Sequence, residues 1–138
     1  MPYGNGANAD ASLTPNVEPE RRDLYLSMDG RRVYVFAVQA LSDAIDTLLS
    51  RNNLTMDDVT YVVPHQANVR IIDAACKRSG YPKDKFFTNI AEYANTSAAS
   101  IPIALEEMQR KEMLRRGDLI LTVGFGAGLT YGGNLIRW

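Results

Sequence analysis

Val62-Val63-Pro64-His65-Gln66-Ala67-Asn68 carries the chain from an apolar run, through a proline, past its one histidine and into a helical pattern. The β-favouring run over residues 59–63 is unbroken, which suits a strand covered on both faces. Pro64 has no N–H to give a sheet ladder, so it ends the strand and fixes where His65 emerges. Imidazole changes protonation near neutral pH without special help, which makes His65 at this edge a candidate acid, base or donor. Taken alone, such a histidine is more often a surface or hydrogen-bonded core residue, because pockets are few per protein.

Beyond this junction a helix is predicted over residues 67–78, with Val69, Ile72, Ala75 and Cys76 on one side and Gly80 and Pro82 to stop it. Cys76 lies mid-helix on that stripe, far from a helix N-terminus, and reads as a buried small hydrophobe rather than a nucleophile. Arg70, Lys77, Arg78, Lys83 and Lys85 outnumber Asp73 and Asp84 here. That excess is either a solvated face or a landing patch for an acidic partner or phosphates. Residues 86–89 read as a short strand. After Asn95, Ser97 or Ser100 can cap a helix that presents Ile101, Ala104, Leu105 and Met108 on one face, tolerates Pro102 in its first turn and ends near Arg115-Arg116-Gly117. Residues 118–123 form another β-branched strand, and a glycine loop separates it from a last one over residues 129–138, an antiparallel pair at a sheet edge.

Upstream, Val33, Phe36, Ala37, Ala40, Leu41, Ala44, Ile45, Leu48 and Leu49 follow the three-then-four step of one helical stripe over residues 31–52. Thr55 or Asp57 can cap a short turn after it. Residues 23–28 alternate enough for a strand, followed by turn chemistry at Met28-Asp29-Gly30. Residues 1–22, with Gly4, Asn5, Gly6, Pro15 and Pro19 and few large apolar groups, read as an extended loop. The sum is an α/β chain: a mixed sheet with helices on its faces.

At 138 residues, 46% hydrophobic and 22% charged, the chain has an ordinary globular balance and enough for one core. A formal net charge of -1 gives no overall electrostatic case for nucleic acid. Uninterrupted apolar runs fall short of a membrane span, and the start does not resemble a signal peptide. The single cysteine excludes an internal disulfide framework and fits a reducing, cytoplasmic setting.

Two further stretches change the weight given to His65: Tyr93-Ala94-Asn95-Thr96-Ser97-Ala98-Ala99-Ser100 and Gly124-Phe125-Gly126-Ala127-Gly128-Leu129-Thr130-Tyr131-Gly132. With Pro64-His65-Gln66-Ala67-Asn68, in this order and spacing, they resemble the C-terminal half of a β-ketoacyl-acyl-carrier-protein synthase III of the thiolase-like superfamily, over residues 24–138. The resemblance implies one half of a five-layer αβαβα fold. Residues 23–138 would be a half-domain built on a mixed five-stranded sheet, and residues 1–22 a linker remnant.

It also implies an acyltransferase of fatty acid initiation, which condenses an acyl-coenzyme A primer with malonyl-acyl carrier protein and needs no metal or redox cofactor. In that family His65 and Asn95 match the donors that stabilise the enolate, a task open to a neutral imidazole N–H and an amide N–H aimed at one thioester oxygen. Such a histidine is expected to be held neutral by burial and by the nearby helix end. Gly126, Ala127 and Gly128 match an active-site loop whose backbone N–H groups approach a substrate oxygen; the family commonly has three glycines there, and alanine serves if its φ is ordinary. Ala67 and Asn68 match residues that meet the pantetheine arm, and Arg70, Lys77 and Arg78 those that meet the acidic carrier protein.

The family's nucleophilic cysteine lies in the other half-fold, and Cys76 does not occupy a comparable place. The chain alone is therefore expected to be inactive, to expose a broad apolar face, and to need a cysteine-bearing N-terminal half within a homodimeric enzyme. Rival readings are a related condensing enzyme of polyketide or quinolone type, or a non-catalytic carrier-binding or interface module.

Overall fold

β1 (Tyr61–Pro64) and β2 (Leu119–Gly126) lie side by side in parallel, with Tyr61 opposite Ile120 and Pro64 opposite Val123, and β3 (Thr130–Arg137) runs antiparallel to β2 at the edge. The computed structural model describes residues 28–138. The loop expected over residues 1–22, and all but Met28 of the strand expected over 23–28, lie outside them. The sheet and its two core clusters belong to the compact unit Tyr34–Trp138.

Alternation along the strands sorts the core into two layers. On one face Val62, Leu119, Leu121 and Val123 pack with Leu41, Ala44, Ile45 and Leu49 of α1 (Gly30–Arg51) and with Ile72, Ala75 and Cys76 of α2 (Val69–Ser79). After the short α3 (Ile90–Tyr93) comes α4 (Ser100–Arg110), whose Ala104 and Met108 pack with Val63 and Ile120 on the other face. Leu119 through Val123 are buried at every position, as a strand covered on both faces requires. Each large aliphatic side chain withdrawn from water here contributes roughly 1.5–3 kcal/mol. Gly133 permits the closest approach between layers: a Cβ there would stand 2.6 Å from the Thr122 carbonyl oxygen and 2.9 Å from Leu48 Cδ1.

Several expectations need correction. Among the described residues the sheet has three strands, not five. The stretch expected as a strand at 86–89 makes one parallel bridge, Val62 with Phe86, before Asn89 turns inward to side-chain partners. α2 begins at Val69 rather than Ala67, because Asn68 accepts the Arg70 N–H at 2.9 Å and so caps the helix. Its inward face is accordingly Ile71, Ile72, Ala75 and Cys76, and Val69 is exposed.

α4 ends at Arg110, short of Arg115, where Glu112 adopts a positive φ. Neither Ser97 nor Ser100 caps it with a side chain. β2 runs three residues into the expected glycine loop, with Gly124, Phe125 and Gly126 paired to Gly132, Tyr131 and Thr130. By length and composition α1 suffices to cross a membrane, which the count of uninterrupted runs missed. Its Leu41, Ala44, Ile45 and Leu49 instead sit in the sheet cluster.

Cys76 is buried, which pushes its thiol upward in pKa and suits a packing role. Val35, Leu129, Tyr131 and Trp138 are large hydrophobes left exposed, with Tyr131 in edge contact with Phe36.

Candidate active site

At the carboxyl ends of β1 and β2 the strands part from the start of α4 and leave an open cleft of about 440 Å³. In an α/β sheet this is where ligands are usually received, because loops there can converge without breaking the ladder. His65 follows Pro64 and its N–H donates to the Val123 carbonyl at 2.8 Å, which carries the ladder one residue past the proline. His65, Asn95, Ser97, Ala98, Ser100, Ile101 and residues 124–127 line the cleft.

The His65 ring is half-buried, stands edge-on to Phe125 with centroids 5.2 Å apart, and has Ser100 Oγ 2.6 Å from its Nδ1. Burial holds the imidazole below its ordinary pKa of 6.5, which favours the neutral ring at neutral pH. Burial is the cause of that shift.

Asn95 is exposed and lines the same cleft from a segment of unusual backbone: Ala94 has φ 56 and ψ -158, and Ser97 has φ 53. Such conformations cost non-glycine residues about 1–3 kcal/mol each. The Ser97 N–H donates to Asn95 Oδ1 at 3.0 Å. Only the amide oxygen can accept that bond, so the orientation is fixed and the Nδ2–H groups are what the amide can offer the cleft.

Ala127 has no left-handed φ, so alanine sits at this position without strain, whereas Gly128 at φ 75 uses the freedom of glycine. Gly126 and Ala127 reach the cleft; Gly128 is the next residue along and does not line it.

Ala67, Asn68, Arg70, Lys77 and Arg78 lie outside the lining. Asn68 instead spends its side-chain oxygen on the helix cap, and Arg70, Lys77 and Arg78 are exposed along α2. Lys83 pairs with Asp73 at 2.7 Å, and Lys85 donates to the carbonyls of Met56 and Val59, so both are held by local partners.

Sequence reasoning missed Phe125 and gave Ser100 only a capping role. It also missed the buried polar chain behind His65. There Gln66 Nε2 donates to Pro64 and Phe87 carbonyls, the Asn89 N–H donates to Gln66 Oε1, and Asn89 Nδ2 donates to Glu107. A glutamine beside the strand end was its only trace in the sequence.

Residues 49–138 match the family model described as 3-Oxoacyl-[acyl-carrier-protein (ACP)] synthase III C terminal. Beta-ketoacyl-[acyl-carrier-protein] synthase III of Clostridium novyi (strain NT) is 52% identical over 113 residues, which are 82% of this chain and 35% of that protein. The corresponding protein of Microcystis aeruginosa is 50% identical over 82% of this chain and 34% of its own length. The crystal structure of 3-oxoacyl-[acyl-carrier-protein] synthase III from Aquifex aeolicus VF5 superposes with a TM-score of 0.80 at 43% identity, covering 86% of this chain and 38% of that one. The chain thus spans about a third of the length of these relatives. With the family model, the identities and the superposed fold in agreement, the chain belongs to the 3-oxoacyl-[acyl-carrier-protein] synthase III family and corresponds to its C-terminal part.

Proposed function

We propose that this chain supplies the enolate-stabilising half of a ketoacyl synthase III active site. The observation that carries the reading is one cleft lined by both His65, whose imidazole burial keeps below its ordinary pKa, and Asn95, whose amide oxygen accepts the Ser97 N–H and leaves its Nδ2–H groups to donate. An acyl primer leaves coenzyme A and rides as a thioester on a cysteine of the complementary half. Malonyl thioester then enters along the pantetheine arm, with Ala67 and Asn68 beside its path. Its carboxylate leaves as carbon dioxide, and the electron pair of the broken C–C bond moves onto the thioester carbonyl oxygen.

That enolate oxygen accepts hydrogen bonds from the His65 imidazole and Asn95 Nδ2. Preorganised donors of this kind act strongly in a site that excludes water. The enolate carbon attacks the primer carbonyl, backbone N–H groups of the Gly126-Ala127-Gly128 loop help hold the tetrahedral oxyanion, and its collapse expels the cysteine thiolate and leaves a 3-oxoacyl thioester. Arg70, Lys77 and Arg78 speed encounter with an acidic acyl carrier protein. Exposed Val35, Leu129, Tyr131 and Trp138 support a surface that the cysteine-bearing half covers.

Native mass spectrometry of the chain, alone and co-expressed with a cysteine-bearing N-terminal half, tests this together with a condensation assay. The expected result is a paired species that turns over, from a chain silent by itself. A self-sufficient chain that binds carrier protein without turnover under either condition would replace the synthase by a binding module.

A further inference from the structure

Ser100 does not cap α4 with its side chain, although it stands at the first helical position, and the residue is buried at 2% exposure. The oxygen makes two contacts: the Gln66 N–H donates to it at 3.3 Å, and His65 Nδ1 lies 2.6 Å away. A serine hydroxyl has one proton and two lone pairs. Gln66 takes a lone pair, so the proton needs an acceptor, and a buried hydroxyl without one costs about 1–3 kcal/mol. Among the described residues the one acceptor within reach is His65 Nδ1.

We infer that Ser100 is a positioning residue that donates to His65 Nδ1 and thereby confines the neutral imidazole to the tautomer with its proton on Nε2. The inference deepens the enolate-stabilising role proposed for His65 and rests on it. A neutral imidazole carries one N–H, and a tautomer with the proton on Nδ1 would turn a lone pair toward the enolate oxygen and repel it. Ser100 therefore decides whether His65 donates or opposes. Because the same oxygen accepts from Gln66, whose side chain ties Pro64, Phe87 and Asn89 together, the hydroxyl is held in place from the buried side.

The chain has a single histidine, so labelling it with 15N-histidine and pairing it with an unlabelled cysteine-bearing half gives one labelled imidazole spin system whose long-range 1H–15N spectrum reads the tautomer directly. Above the titration of His65, the wild type is expected to show a protonated Nε2 and a bare Nδ1. Ser100→Thr keeps the donor and this pattern, whereas Ser100→Ala yields a mixture of both tautomers. In the complete enzyme, Ser100→Ala is expected to lower kcat for malonyl-thioester decarboxylation by roughly 10- to 100-fold with KM within about twofold, the scale on which partners that orient a working imidazole act, and Ser100→Thr to restore most of it.

A protonated Nδ1 in the wild type overturns the inference, as does an unchanged tautomer and kcat in Ser100→Ala. A protonated Nε2 in a wild-type assembly without decarboxylase activity supports the tautomer assignment and refutes the proposed reaction instead.

Discussion

Glu107→Gln probes the polar chain that braces the His65 segment. Glu107 is 2% exposed, receives Asn89 Nδ2 at 2.7 Å on one oxygen and Lys111 Nζ at 2.5 Å on the other. Asn89 and Gln66 are also buried, and Gln66 directly follows His65. Hydrogen bonds to a charged group contribute about 1.5–3 kcal/mol each and neutral ones about 1. Glutamine keeps one oxygen for Asn89 and turns its own amide toward Lys111, which is half exposed and returns to water.

The exposed partner's share is discounted for solvent screening, so the loss is about 1–2 kcal/mol at pH 7. Glu107→Ala also orphans the buried Asn89 donor and costs about 2–4 kcal/mol. Lys111 and then Asn89 hold the carboxyl below its ordinary 4.5. A carboxylate with a depressed folded pKa stabilises the fold above 4.5 and loses that contribution as pH falls through its folded value. Urea unfolding at several pH values therefore shows wild type and Glu107→Gln converging toward acid. A glutamine variant within about 0.3 kcal/mol of wild type at pH 7, well under the charged bond it removes, or a gap that widens in acid, would mean that the Glu107 carboxylate does not brace this segment.

Gly133→Ala forces a methyl against the Thr122 carbonyl and Leu48, and thermal unfolding should show a loss of about 1–3 kcal/mol. Ala94→Gly relieves a backbone conformation that only glycine adopts freely and should gain about 1 kcal/mol by the same measurement. His65, with its folded pKa below 6.5, stays neutral where the unfolded chain is charged. Stability then falls as pH drops through 6.5 toward the folded value, and a His65→Gln variant lacks that slope. Replacing Arg70, Lys77 and Arg78 by glutamate should slow association with an acyl carrier protein about tenfold at low salt, with the difference fading as salt is raised, in stopped-flow traces.

Periodicity made much of this legible. The stripe from Phe36 to Leu49, the buried run before Pro64 and the β-branched strand before Gly124 became α1, β1 and β2, because each pattern reports burial against a neighbour that exists. The cleft was legible through His65, Asn95 and the glycine stretch. What stayed hidden depends on tertiary partners. Residues 86–89 have strand composition, yet Asn89 is claimed by Gln66 and Glu107 and the ladder stops after one bridge. Ser100 sits where a capping serine belongs, but a histidine 35 residues away in sequence takes its hydroxyl. Gly124 and Gly126 resemble loop residues and are strand residues, since β3 folds back alongside them.

In the proposed reaction His65 and Asn95 together hold the developing enolate, and malonyl-thioester decarboxylation by the complete enzyme measures that role. His65→Ala and Asn95→Ala should each lower kcat by about 10²–10³, as loss of one oxyanion donor does, with KM within about twofold and the double variant falling short of the product of the two. If either single variant decarboxylates within about twofold of the wild type, a change far below one lost donor, the cleft does not work as described.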